Sequence, residues 1–141
     1  MAVFTNSELE FVTDHRVARL ATADADGMPH VVPVCYATDE RRIYTAIDSK
    51  PKRFTGKHLK RVRNVISNPY VSLVIDDYCE DWSKLKYVLI KGSAEFLEAG
   101  SERSTAETLL RKKYHQYGDY LDPGCPIISI TPTKIISWNG M

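Results

Sequence analysis

Apolar residues recur along the chain with two periods, and the elements change where one period replaces the other. Between Thr5 and Thr13, Leu9 and Val12 share a helical face with Phe4 just before them, and Thr5, Asn6 or Ser7 can cap the helix. Arg16–Asp24 is a run of small and β-branched residues that reads as a strand. Asp24-Ala25-Asp26-Gly27 reads as a turn in which Gly27 is free to take positive φ, and His30–Ala37 as the second strand of a hairpin. Pro33 cannot donate to a ladder, so it marks an edge, a bulge, or a place where something other than a strand lies against the backbone. Asp39-Glu40-Arg41 turns the chain into a third strand, Arg42–Ile47. A helix from about Phe54 to Ser67 follows, with Leu59, Val62 and Ile66 facing inward beside Val65, and Asn68-Pro69 stops it.

Tyr70–Asp76 reads as the fourth strand and Asp77–Leu85 as an acidic, aromatic loop. Lys86–Leu97 is the fifth strand, with Gly92 as a bulge or a point of close approach. Ser101 opens an amphipathic helix with Ser101–Ser104 as its cap and Ala106, Leu109, Leu110 and Tyr114 on the inner face. Pro123-Gly124 ends that region, and Ile127–Trp138 is the sixth strand, bent at Thr131-Pro132. Hairpins that follow one another directly favour antiparallel pairing. The expectation is a mainly β (α+β) fold: a six-stranded antiparallel barrel, closed or nearly closed, with flanking helices. No repeat, linker or low-complexity stretch interrupts residues 1–141, so one domain is expected, and 141 residues are enough for a real core.

Composition narrows the class. Hydrophobic residues are 43% and charged ones 26%, which is globular. No apolar stretch approaches the ~18 residues that span a bilayer. The start, Met1 to Asn6, lacks a basic segment followed by an apolar one. A soluble cytoplasmic protein without membrane contact is the expectation. Cys35, Cys79 and Cys125 form no C-x-x-C, and the four histidines form no His-x-x-x-His pair, so the cysteines read as reduced and structural and no metal is called for.

The net charge of +1 conceals an asymmetry. From Ser49 to Ile75 there is no Asp or Glu, yet Lys50, Lys52, Arg53, Lys57, Lys60, Arg61 and Arg63 supply seven positive charges. A local positive field on a near-neutral chain points to one anionic ligand at one place, or to a solvated helix face. Nucleic acid is a third reading, with steep salt dependence. The near-neutral total and the scarcity of aromatics within the basic run count against it. There is no G-x-G-x-x-G, no Walker-type loop and no G-x-S-x-G. If the chain is an enzyme, a cofactor carries its chemistry, and no catalytic side chain is identified. The sharpest local feature is Thr45–Arg53, where a strand ends in a Ser, two Lys and an Arg ahead of a helix. That is either a phosphate cradle or an ordinary basic loop.

Four segments in order resemble the flavin-binding split β-barrels related to pyridoxamine 5′-phosphate oxidase. They are Leu20-Ala21-Thr22 with Asp26-Gly27-Met28-Pro29, Tyr44-Thr45 through Ser49-Lys50, Asn68-Pro69-Tyr70-Val71-Ser72-Leu73, and Val88-Leu89-Ile90 through Gly92-Ser93-Ala94-Glu95. The resemblance implies a split β-barrel homodimer with two cofactor sites at the subunit interface. It implies that Ser49, Lys50 and Lys52 hold the cofactor phosphate with Arg53 nearby, and that Thr45, Ala46 and Ile47 run along the ring. Val32, Pro33 and Val34 would approach through their backbones, and Tyr87 would reach in from the partner subunit. Trp138 either flanks the ring or packs in the core.

The oxidase itself has an Arg and a Lys where this chain has Val32 and Ala37, and its C-terminal substrate-binding Arg and His find no counterpart. Ala46–Arg53 and Glu80-Asp81-Trp82-Ser83 look more like the subfamily that uses the deazaflavin coenzyme F-420, whose anionic tail Lys57, Lys60 and Arg61 would suit. The implied activity is hydride transfer between bound FMN or F-420 and a small organic substrate, with Tyr36 or solvent as proton donor. A non-catalytic FMN- or F-420-binding or storage dimer fits the same motifs, and haem in place of either is left open. Trp82 and Tyr78 would cover the substrate side or pack at the dimer interface.

Overall fold

The computed structural model describes residues 1–47 and 59–139. Helix α1 (Asn6–Asp14) opens with a capping box: Thr5 accepts from the Glu8 N–H, and Glu8 reaches back to the Thr5 N–H. Strands β1 (Ala18–Ala23) and β2 (Pro29–Val34) form the first hairpin. Its turn has Gly27 at φ 83°, and the Asp24 carboxylate accepts from the Asp26 and Met28 N–H groups. The Met28 bond, then the Asp26 bond and Lys60, hold the Asp24 carboxyl below its usual range.

Among the described residues the curled antiparallel sheet has seven strands, not six. The expected second strand breaks after Val34, and β3 (Ala37–Thr38) starts afresh and pairs with β4 (Ile43–Ala46). The break has its cause in one distant side chain. Tyr36 leaves the ladder because its N–H donates to the Tyr114 hydroxyl at 3.0 Å, and that hydroxyl reaches the Tyr36 and Arg16 carbonyls at 2.9 and 2.7 Å. A side chain thus satisfies backbone groups that a neighbouring strand would otherwise have taken.

Helix α2 (Lys60–Ser67), β5 (Tyr70–Asp77), β6 (Lys86–Leu97), helix α3 (Ser101–Lys113), the short α4 (Tyr117–Tyr120) and β7 (Ile127–Asn139) complete the chain. The α2 helix starts at Lys60 behind an extended Leu59 rather than at Phe54; residues 54–58 lie outside the described residues. Its inner face is Val62, Val65 and Asn64, and Ile66, expected inward, is 58% exposed. The buried Asn64 amide donates to Thr22 Oγ1 at 3.0 Å, fixing α2 to β1. Gly100 rather than a serine stands at the N-cap of α3, at φ 102°.

The strand order is β2-β1-β5-β6-β7-β4-β3, all neighbours antiparallel. The edge strands β2 and β3 are consecutive in the chain with only Cys35 and Tyr36 between them. Two residues span only about 10 Å even when extended, so the sheet must curl to bring the end of β2 beside the start of β3. Inside the curl lies one core, with Leu20, Tyr36, Ile43, Leu73, Ile75, Ile90, Ile128 and Ile130 among its buried members. A second core packs α3 and α4 on Ala37, Tyr44, Ala46 and Ile127. The bulge expected near Gly92 is present: the β6/β7 register shifts between Lys91 and Gly92, opposite Pro132. A Cβ at Gly92 would fall inside van der Waals contact of the Thr131 carbonyl oxygen, which accounts for glycine there.

The α3–α4 layer is tied by Glu107, whose carboxylate accepts from Arg103, Arg111 and the Gly124 N–H. Burial works to raise its pKa, and these three donors overcome it, so the carboxyl is held below its ordinary 4.5. A depressed carboxylate pKa stabilises the fold above the unfolded value, and the stabilisation is lost as pH falls through the folded one. Glu107→Gln is expected to cost about 3 kcal/mol at pH 7 and to flatten the fall in stability below pH 4.5, as measured by urea denaturation across pH. Tyr114→Phe, which orphans the Tyr36 backbone groups, is expected to cost about 2 kcal/mol in the same assay.

Candidate functional site

The break between β2 and β3 leaves a gap in strand pairing: among the described residues no ladder joins β2 to β4. Pro33 pairs with Arg19 and cannot donate, so this is a pair without ladder hydrogen bonds. The neighbouring alternate residues therefore point their backbone groups away from β1, and the Val31 N–H and the Val31 and Pro33 carbonyls face the open edge. Val32 and Val34 instead turn their backbone toward β1 and their side chains into the barrel, Val34 at 7% exposure. Of the three β2 residues expected to meet a ligand through the backbone, Pro33 alone is so oriented.

The other wall is β4. Its ladder with β3 ends at Tyr44, so Thr45 and Ala46 have β7 on one side and, among the described residues, no strand on the other. The backbone continues its β7 contact through Ile47 N–H to the Pro126 carbonyl at 3.0 Å. Extending the Ala37–Tyr44 register brings Val34 opposite Ile47, and both belong to the same buried cluster. The structure thus brings Val32, Val34 and Ile47 together on the barrel interior, with the Pro33 backbone on the β2 edge beside them, whereas the Ala46 side chain packs with α3 and α4 on the other face. The Thr45 hydroxyl, 2% exposed as a residue, has no side-chain hydrogen bond among the described residues. Ser49, Lys50, Lys52, Arg53 and Lys57, the expected phosphate cradle, lie outside the described residues. Of the three tail candidates Lys60 and Arg61 are described, and Lys60 sits 3.7 Å from the Asp24 carboxylate.

Tyr87 and Trp138 are not at this gap. They are cross-strand partners whose rings stack at 5.7 Å between centroids and 21° between planes. Trp138 is 46% exposed, which removes the core reading. They stand at the far end of β7 from Ile127 and Ile128, the partners of Ala46 and Thr45. Ten residues of strand at about 3.3 Å each separate the two places. Tyr78 and Trp82 are exposed on the loop beyond Asp77.

Tyr36 is no proton donor to the gap. It is fully buried, its hydroxyl donates to the Val12 carbonyl at 2.5 Å, and burial raises its pKa strongly. The Lys113 ammonium lies 4.0 Å from the centroid of the Tyr36 ring, and burial together with Arg16 lowers its pKa to about 8. Sequence reasoning missed this Tyr36–Lys113–Tyr114 cluster, since nothing in the spacing shows that the end of α3 meets the β2–β3 junction. Among the described residues no group of three or more metal-ligating side chains occurs. Tyr36→Phe is expected to lower stability by about 1–2 kcal/mol while leaving ligand affinity at the gap unchanged, as read by thermal melts and equilibrium titration.

The profile of the pyridoxamine 5′-phosphate oxidase family matches residues 4–139, and the chain belongs to that family. It is similar to a 5a,11a-dehydrotetracycline/5a,11a-dehydrooxytetracycline reductase of Streptomyces rimosus, at 31% identity over 139 residues, covering 96% of this chain and 82% of the relative. Among solved structures, an FAD-binding protein of Mesorhizobium loti aligns at 27% identity with a TM-score of 0.66, over 91% of this chain and 87% of that one. The haem storage protein HutZ of Vibrio cholerae aligns at 16% identity with a TM-score of 0.72, over 98% and 95%, a likeness of fold alone.

Proposed function

We propose that this member of the family is a homodimeric flavin- or deazaflavin-dependent reductase that passes hydride from bound FMN or coenzyme F-420 to a small unsaturated organic acceptor. The observation that carries the reading is the gap between two unpaired backbone edges, on β2 and on β4, in a chain 31% identical to a reductase. The edge of a flavin-type ring bears alternating amide donors and acceptors, and the Val31 N–H and the Val31 and Pro33 carbonyls are matched to it. When bound, the cofactor supplies the hydride.

The chain supplies the rest. Val32, Val34 and Ile47 make the floor apolar and exclude water from one ring face. Thr45 offers a hydroxyl at the same place. Ser49, Lys50, Lys52 and Arg53 neutralise the phosphate, with Lys57 at hand for the longer anionic tail of F-420. Tyr87 and Trp138, too far along β7 to serve their own chain's gap, contribute from the partner subunit. With Tyr36 locked inside, the proton comes from solvent or from the substrate side. The reductase relative supports an unsaturated acceptor, and the FAD-binding neighbour supports a flavin.

Titration of the purified protein with FMN and with F-420, followed by absorbance and fluorescence, tests the cofactor. One of them is expected to bind, and Lys50→Ala with Lys52→Ala together to weaken it by about 100-fold, as loss of two charged phosphate bonds implies. Unchanged affinity in the double variant would remove the cradle. Oxidation of the reduced bound cofactor by a conjugated enone separates a reductase from a storage protein.

A further inference from the structure

The last turns of α1 and α3 meet β3 around a cavity of about 180 Å³, lined by Thr13, Ala37, Thr38, Leu109, Lys112 and Lys113. It shares no lining residue with the gap between β2 and β4. The Thr38 hydroxyl is already engaged, donating to the Arg42 carbonyl and accepting from the Glu40 N–H. What it leaves to the cavity is its methyl group, beside Ala37 and Leu109, so the walls are largely apolar. An apolar cavity of about 150 Å³ takes a guest the size of benzene, and this one has room for a ligand of that size.

The two lysines on its wall differ. Lys112 is exposed, whereas Lys113 is half-buried, with its ammonium 4.0 Å from the Tyr36 ring centroid and 5.5 Å from that of Tyr114. Among the described residues Lys113 makes no ion pair. The nearest cation is part of the same cluster: the Arg16 guanidinium donates to the Lys113 carbonyl at 2.7 Å and lies 5.6 Å from the Tyr114 centroid. A half-buried ammonium beside another cation is poorly held in its charged form. Burial first and Arg16 second bring its pKa down to about 8, against the opposing pull of Cys35 and Asp14. Tyr36 and Tyr114, which also face it, stay neutral because burial raises the pKa of both. About half of the Lys113 amine is therefore free at pH 8, where a lysine at the ordinary 10.5 frees about 0.3%.

We propose that Lys113 is a nucleophilic amine that condenses with a small apolar aldehyde seated in this cavity. The Nζ lone pair attacks the carbonyl carbon and a C–N bond forms. The resulting carbinolamine loses its oxygen as water, together with the two protons of the amine, and leaves an imine. No oxidant or reductant enters the step. A lysine desolvated in an apolar pocket or set next to another cation is the kind of amine that reacts in this way, and Lys113 meets both conditions. A carboxylate ligand would need the ammonium, which is the form this site disfavours. A carbonyl needs the free amine, and the apolar walls take the rest of the molecule. The site stands apart from the cofactor reading and holds or fails without it.

Incubation of the full chain with benzaldehyde, a borohydride quench that fixes imines as stable amines, and peptide mapping by mass spectrometry test this. At pH 8 Lys113 is expected to carry about 10-fold more adduct than any other lysine, and the margin to narrow by pH 10, where ordinary lysines also lose their proton. Glyceraldehyde, whose body is polar, is expected to show a smaller preference for Lys113. Thr13→Trp, at an exposed position on the cavity rim, is expected to cut benzaldehyde labelling of Lys113 by about 10-fold. A thermal melt confirms that this variant folds, and the glyceraldehyde comparison on the wild-type chain gives the same information if it does not. Benzaldehyde spread evenly over the exposed lysines at pH 8 overturns the reactive amine. A preference for Lys113 that is the same for both aldehydes and unmoved by Thr13→Trp overturns the cavity as the aldehyde's seat.

Discussion

The bond on which the architecture turns is the one between the Tyr114 hydroxyl and the backbone of Tyr36. A sheet whose edge strands are consecutive in sequence must either continue one strand smoothly into the other or break cleanly between them. A smooth continuation would leave β2 to ladder with β4 past Val34 and would seal the wall. Here a single hydroxyl at the end of α3 takes the Tyr36 N–H and also reaches the carbonyls of Tyr36 and Arg16. The Tyr36 side chain is pulled to the opposite side, where its own hydroxyl meets the Val12 carbonyl on α1. Two helices therefore hold the junction from either side, and the chain leaves the ladder without a buried orphan.

The resulting gap belongs to the fold rather than to any one residue. Pro33 lies on its rim because a residue without an N–H costs least where no strand waits for one. Lys113 lies behind it with its ammonium over the Tyr36 ring, so its charge faces an aromatic surface rather than the gap. The positive charge that an anionic ligand would need is concentrated instead in the sequence between Lys50 and Arg63.

Much of this was legible in the amino-acid order, and the omissions have physical causes. The fifth and sixth strands were readable because apolar residues, Gly92 and Pro132 mark both their length and their bulge. The first turn was readable because Asp-x-Asp-Gly has its own local chemistry, and it has that chemistry here. The break after Val34 was not, because its cause lies 78 residues away at Tyr114. The inner face of α2 was misjudged by one position because Val65 and Ile66 are both apolar and adjacent, so periodicity alone could not choose between them; Asn64, paired to Thr22 inside, decides the rotation. The gap residues on β4 were readable only through family resemblance, and the stacking of Tyr87 on Trp138 needed a register that no single strand reveals.

One signal in the order of residues was present and carries more than strand assignment. An antiparallel sheet with one wet face shows alternation, and a sheet covered on both faces shows unbroken apolar runs. This chain alternates at β1, where Arg19 separates the buried Ala18 and Leu20. It does not alternate at Val74-Ile75, at Val88-Leu89-Ile90, or at Ile135-Ile136, and these runs fall side by side on β5, β6 and β7. The barrel interior accounts for Ile75, Val88, Ile90 and Ile135, which belong to its core or pack against it. Among the described residues Val74, Leu89 and Ile136 belong to neither core and sit together on the outside at one level. The same strands that build the interior therefore carry a second apolar row on their outer side, at one level across three neighbouring strands.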